Sequence, residues 1–156
     1  METSASIHRH PIHPMLVVFP IAFWIGSLAC DGVYHMGSHN LFWKDVAFYM
    51  MAGGVIGALA AAIPGFVDYL GLRDRPTKRI ATIHMLMNLT IVALFVFNLG
   101  IRLNATPEDG MLDVFLSILG VCMLAVSGWL GGQLVYVGGV GVAGTHTEQQ
   151  TPRRAA

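Results

Sequence analysis

Four long apolar runs divide this chain, and their spacing leaves very few folds open to it. They extend from Met15 to about Tyr34, from about Val46 to Val67, from Ile80 to about Leu103 and from about Met111 to Val137. A bilayer crossing needs roughly 20 mostly apolar residues, and each run supplies one. Hydrocarbon offers no water to backbone N–H and C=O groups, so a crossing segment must satisfy its own backbone, and the runs are read as helices. The connections "HMGSHN", "GLRDRPTKR" and "NATPEDG" carry the residues that break helices. The expected fold is all-α, a bundle of four transmembrane helices within residues 1–142. A polar tail, residues 143–156, is expected to be disordered. No internal repeat is visible. The 156 residues are 54% hydrophobic and 12% charged, against about a quarter charged in a soluble domain.

Four crossings place both termini on the same side as the second loop. That side carries Arg9, Arg73, Arg75, Lys78, Arg79, Arg153 and Arg154, while the other carries Lys44 and Arg102. The positive-inside rule then puts both termini in the cytoplasm. A net charge of zero gives no reason to expect nucleic acid as a partner. Cys30 and Cys122 lie inside apolar runs and read as small buried hydrophobes. "SLACD" around Cys30 has a trace of a lipoprotein cleavage site, but Ser27 stands where Leu is usual, so the first run is read as a retained span. Gly53 with Gly57, and Gly128 with Gly132, form small-residue pairs one turn apart, read as internal helix contacts in preference to a dimer seam.

The third run has a polar stripe. Asn88 lies one turn beyond His84, and Arg102 lies five turns beyond it, with Asn98 on the same side. The rest of this run is almost wholly apolar. Polar side chains within a span face the bundle interior or a wet cavity, so this face looks inward. Asn88 and Asn98 serve equally well as helix-joining hydrogen bonders or as functional groups. Asp31, near the end of the first span, falls at the depth of Arg102, and an Asp31–Arg102 pair with a structural role is expected.

At the other end, "HPIHP" sets His10 and His13 against the first span. Pro11 and Pro14 favour an extended lead-in up to about Pro14, which suits the first turn of a helix. Pro20, a little further in, is a candidate kink. His10, His13, Asp68, His84, Gln133 and Tyr136 then come from all four spans at one depth. They could line a polar vestibule at the cytoplasmic boundary, or the histidines could simply be solvated. His35, His39 and His146 have no visible partner and are read as solvated. Tyr34, Trp24 and Trp43 are read as interface anchors or packing residues.

The stretches "HPIHPMLVVFPIAF", "GFVDYLGL", "IHMLMNL", "NLGIR" and "SGWLGGQLVYVGGVGV" together resemble the bacterial membrane proteins grouped as domain of unknown function 2231. The resemblance covers His10 to about Val142. It implies a four-helix integral membrane protein, and it implies that His10, His13, Asp31, Asp68, His84, Arg102, Gly131 and Gly132 occupy motif positions. It supplies no activity. The family's opening motif usually has a further His where this chain has Val18, and an acidic residue is common where Gln133 stands, which weakens a cofactor role here.

Three functions compete. In the first, His13 and His84 are axial ligands of haem b between the helices, beside Asn88 and Gly132, and the chain passes electrons within a membrane redox complex. In the second, His10, His13, Asp68 and His84 give a tetrahedral N/O set for zinc. In the third, the chain binds no cofactor and is a structural or accessory subunit, alone or as a homo-oligomer, with the lipid bilayer as its main partner. A transport pathway is less favoured, because no charge sits at mid-membrane. There is no nucleophile–base set, and "GVGVAG" lacks the strand and helix around it that a nucleotide fingerprint needs, so catalysis by this chain alone is not expected.

Overall fold

The computed structural model describes residues 5–8, 10–104 and 111–142. The polar tail, His146 and Arg9 lie outside the described residues. The chain opens on a small hairpin, β1 (Ser6–Ile7) antiparallel to β2 (His10–Pro11), with Ser6 opposite Pro11 and Ile7 opposite His10. His8 takes the left-handed conformation that the tight turn requires, at φ +49°.

The first crossing is broken near its start. Helix α1 (Ile12–Leu16) ends one residue before α2 (Val18–Val33), with Val17 between them. Pro20 explains the position of the break: it has no N–H to offer the carbonyl four residues back, that of Leu16. The helix begins at Ile12, two residues ahead of Pro14, so the extended lead-in shrinks to His10–Pro11. A π-helical turn, Tyr34–Ser38, closes this crossing.

Three continuous helices follow: α3 (Leu41–Gly71, 31 residues), α4 (Arg75–Asn104, 30 residues) and α5 (Leu112–Tyr136, 25 residues). At 1.5 Å per residue, 31 residues reach about 46 Å, well beyond a hydrocarbon core of about 30 Å. The apolar runs therefore mark where lipid lies, while capping side chains decide where α3 and α4 start. Asn40 accepts the amide of Phe42 at 3.0 Å to begin α3. Asp74 accepts the amide of Thr77 at 3.0 Å and its hydroxyl at 2.6 Å to begin α4.

The helices pack as two antiparallel hairpins, and side-chain donors on one helix reach backbone carbonyls or serine hydroxyls on its neighbour. Ser27 Oγ donates to the Ala47 carbonyl at 2.7 Å, and Trp24 Nε1 donates to that of Met51 at 3.2 Å. In the second hairpin, Asn98 donates to Ser117 Oγ at 3.0 Å and Asn88 to Ser127 Oγ at 2.8 Å. Ten residues along α4 thus match ten residues back along α5, as antiparallel packing requires. The two hairpins meet where the Trp24 and Phe95 rings stack, centroids 4.3 Å apart and planes 11° from parallel. Met51, Val55 and Ile91 complete that core.

Glycine makes the close approaches possible. A Cβ at Gly57 would lie 3.2 Å from Pro20 Cδ, and one at Gly54 would overlap the Trp24 indole nitrogen. A Cβ at Gly120 would lie 2.7 Å from the Phe95 ring. The Gly53/Gly57 pair thus serves an internal contact, as expected. The Gly128/Gly132 pair does not: a Cβ at Gly128 would meet nothing within 4 Å, and one at Gly132 would only touch Tyr136. Trp129, beside Gly128, points outward and is 72% exposed.

The outer surface settles the environment. Ile63 is 72% exposed and Phe97 63%, and protein buries only 17–28% of the apolar window of each crossing. Apolar cover on this scale needs hydrocarbon around it. The chain is a multi-pass membrane protein with four helices long and apolar enough to cross.

Candidate functional site

Two polar layers interrupt the apolar bundle, one near each end. The layer remote from the N-terminus is built on Arg102. Its guanidinium grips Asp31 with both arms, Nη1 on Oδ1 at 2.9 Å and Nη2 on Oδ2 at 2.5 Å. Asp31 is fully buried, so the pair is an in-membrane fork of the kind that only arginine makes. The expected pair is present, and it belongs to a larger set. Asp113, at the start of α5, puts Oδ2 3.3 Å from Lys44 and 3.7 Å from Arg102. Asn98 accepts from Arg102 Nε at 3.4 Å and donates to the Asp113 carbonyl at 2.8 Å. Ser117 accepts from Arg102 at 3.2 Å. Two carboxylates and two cations from all four crossings thus neutralise one another. Every member is bonded, which makes this layer a clamp.

The other layer holds the histidines. His13, on α1, places Nδ1 2.8 Å from the Ala61 carbonyl of α3. Its ring lies over Gly65, where a Cβ would come within 2.7 Å of Nδ1. His84, on α4, places Nδ1 3.0 Å from the Ser127 carbonyl of α5. Gly131 gives that ring its room, since a Cβ there would sit 3.3 Å from Cε1. Both imidazoles are half-buried.

The hydrogen bonds fix the tautomer. A carbonyl only accepts, so Nδ1 carries the proton in both rings and Nε2 keeps its lone pair. His13 Nε2 has no protein partner among the described residues. His84 Nε2 lies 3.1 Å from Asn88 Nδ2, but that amide has two hydrogens and two nearer acceptors, the His84 carbonyl and Ser127 Oγ, each at 2.8 Å. The lone pair of His84 is left as the third and weakest of these contacts. Two imidazoles anchored through Nδ1–H with Nε2 presented as donors is the arrangement found when histidine binds a metal centre.

His10, Asp68 and Tyr136 do not join them. His10 is exposed and turns Nδ1 to the His8 carbonyl at 3.0 Å. Asp68 spends Oδ1 on the amide of Ala5 at 2.8 Å, latching the hairpin to α3. The set His10, His13, Asp68 and His84 therefore does not assemble, and among the described residues no three His, Cys, Asp or Glu side chains gather as metal ligands. Tyr136 is 89% exposed. The glycine against His84 is Gly131, not Gly132. His35 is not a freely solvated ring either: its Nε2 is buried and unpartnered among the described residues, and the ring packs edge-on against Tyr34.

Ser127, Ser117 and Lys44 were invisible as site residues in the pattern of spans, as were the Ala61 and Ser127 carbonyls. Asp113 alone left a signal, an acid inside the first turn of an apolar run. No curated protein and no solved structure matches this chain. A family model does: it describes a predicted membrane protein and matches residues 9–144, so the chain belongs to the family grouped as domain of unknown function 2231, DUF2231.

Proposed function

We propose that this protein binds haem b through His13 and His84 and passes electrons within a bacterial inner-membrane complex, with both termini cytoplasmic. The observation that carries the reading is the shared tautomer. Each Nδ1 is committed to a helix carbonyl, the Nε2 of His13 has no protein partner among the described residues, and that of His84 faces the Asn88 amide at 3.1 Å. The donor set fits haem iron, which needs only two axial nitrogens from the protein. It fits zinc less well, because a closed zinc site needs about four ligands and the acidic and third imidazole partners are occupied elsewhere. Bound haem would supply one-electron chemistry. The chain's own part would be to orient the rings through the Ala61 and Ser127 carbonyls, His13 against Gly65 of α3 and His84 against Gly131 of α5.

A second reading also has an observation behind it. Asn88, Asn98, Ser117, Ser127 and Arg102 are all hydrogen-bonded within the bundle, as in a subunit whose polar groups only tie helices together. Haem and zinc content of protein purified without a His tag, from cells supplied with haem, separates the readings. About one haem per chain supports the proposal. Neither cofactor, with His84→Ala lowering stability alone, supports a structural subunit.

A further inference from the structure

The turn between α3 and α4 concentrates positive charge where the fold alone does not favour it. Arg73, Arg75 and Arg79 are exposed, and none has a hydrogen bond or ion pair with a side chain among the described residues. Arg75 and Arg79 stand one helical turn apart on α4, a spacing at which like charges repel. Both lie at the N-terminal end of α4, where the helix macrodipole also disfavours cations. The neighbouring acid, Asp74, is exposed and gives one carboxylate oxygen to the amide and hydroxyl of Thr77, and it forms no ion pair with these arginines among the described residues. The three arginine charges outnumber the single carboxylate beside them.

The turn is also held in place. Leu72 and Thr77 are buried on either side of it, and Lys78 lies over the Tyr69 ring at 5.1 Å. Phe66 and Leu70, on the last turns of α3 and shortly before Arg73 in the chain, are exposed apolar side chains. Guanidinium groups without a side-chain partner among the described residues, at the same end of two membrane-crossing helices as exposed apolar side chains, complement a phosphate attached to acyl chains. We propose that Arg73, Arg75 and Arg79 form a binding site for the phosphate headgroup of an anionic phospholipid, with the acyl chains lying along Phe66 and Leu70. The site is independent of any cofactor at His13 and His84.

Native mass spectrometry of the purified full chain, titrated with phosphatidylglycerol or with phosphatidylcholine, tests this. The wild type should retain phosphatidylglycerol preferentially, and R75Q/R79Q should lower that retention on the order of tenfold. R75K/R79K should keep most of it. Raising the salt should release the lipid from wild-type protein, a readout that survives if R75Q/R79Q fails to insert. Inorganic phosphate at the same concentration should not displace the lipid. Equal retention of the two lipids, retention that ignores salt, full retention by R75Q/R79Q or displacement by inorganic phosphate would each overturn the assignment.

Discussion

Arg102 and Asp31, on helices far apart in sequence, meet through two parallel hydrogen bonds of 2.9 and 2.5 Å inside the bundle. The pair fixes the first crossing against the third at one level. Its surroundings bring in the other two crossings through Lys44 and Asp113. Removing one partner strands a buried charge. Arg102→Leu or Asp31→Leu should therefore cost about 3–5 kcal/mol, whereas the double variant R102L/D31L should recover most of that loss. Thermal unfolding in detergent, followed by circular dichroism, checks the cycle. Equal and additive losses would show that the charges do not act as a pair.

Glycine substitutions should separate packed from open faces. Gly120→Ala forces a methyl group against the Phe95 ring and should destabilise by about 1–3 kcal/mol. Gly128→Ala meets nothing and should be neutral or slightly stabilising. Melting temperatures of the two variants, measured side by side, are the check. The order is the reverse of what the GxxxG pattern on α5 would suggest.

Asp74 gives a pH signature. Its bonds to the hydroxyl and amide of Thr77 hold its carboxyl below the usual carboxylate range. A group depressed in the folded state stabilises above its unfolded pKa and loses that contribution as pH falls through the folded one. Asp74→Ala should thus destabilise α4 by a constant amount above the unfolded carboxyl value of 3.8, and the difference from wild type should close below it. Stability measured in steps from neutral to strongly acid pH reads this. A difference that grows on acidification would contradict the capping role.

The Ala5–Asp68 hydrogen bond latches the N-terminal hairpin beside the histidine layer. Asp68→Ala should release it, and amide exchange at Ala5 should quicken about tenfold, as loss of a bond to a charged acceptor implies. Unchanged exchange would mean that the hairpin is held by its other contacts.

Much of this layout was legible in the chain. The four crossings follow from apolar run length, and the Asp31–Arg102 pair follows from matching depth plus helical phase. The inward face of α4 was legible because His84, Asn88, Asn98 and Arg102 interrupt an otherwise apolar helix. The partners were hidden for physical reasons. Backbone carbonyls such as those of Ala61 and Ser127 exist at every position, so no residue type announces them. Ser117 and Ser127 are small and hardly disturb an apolar run. Asp113 and Lys44 sit near helix starts, where charge is ordinary, and only the packing of α5 and α3 carries them inward. The tetrahedral ligand set failed because hydrogen bonds to His8 and Ala5 claim His10 and Asp68, and such local competition leaves no periodic trace.

The absorption spectrum of the purified protein tests the central claim most directly. Protein expressed with haem supplied should show a Soret band and reduced-state bands of a bis-imidazole haem. His13→Ala and His84→Ala should each abolish or shift them while the four-helix circular dichroism persists. A spectrum without a Soret band, or one that neither histidine substitution alters, would contradict the account.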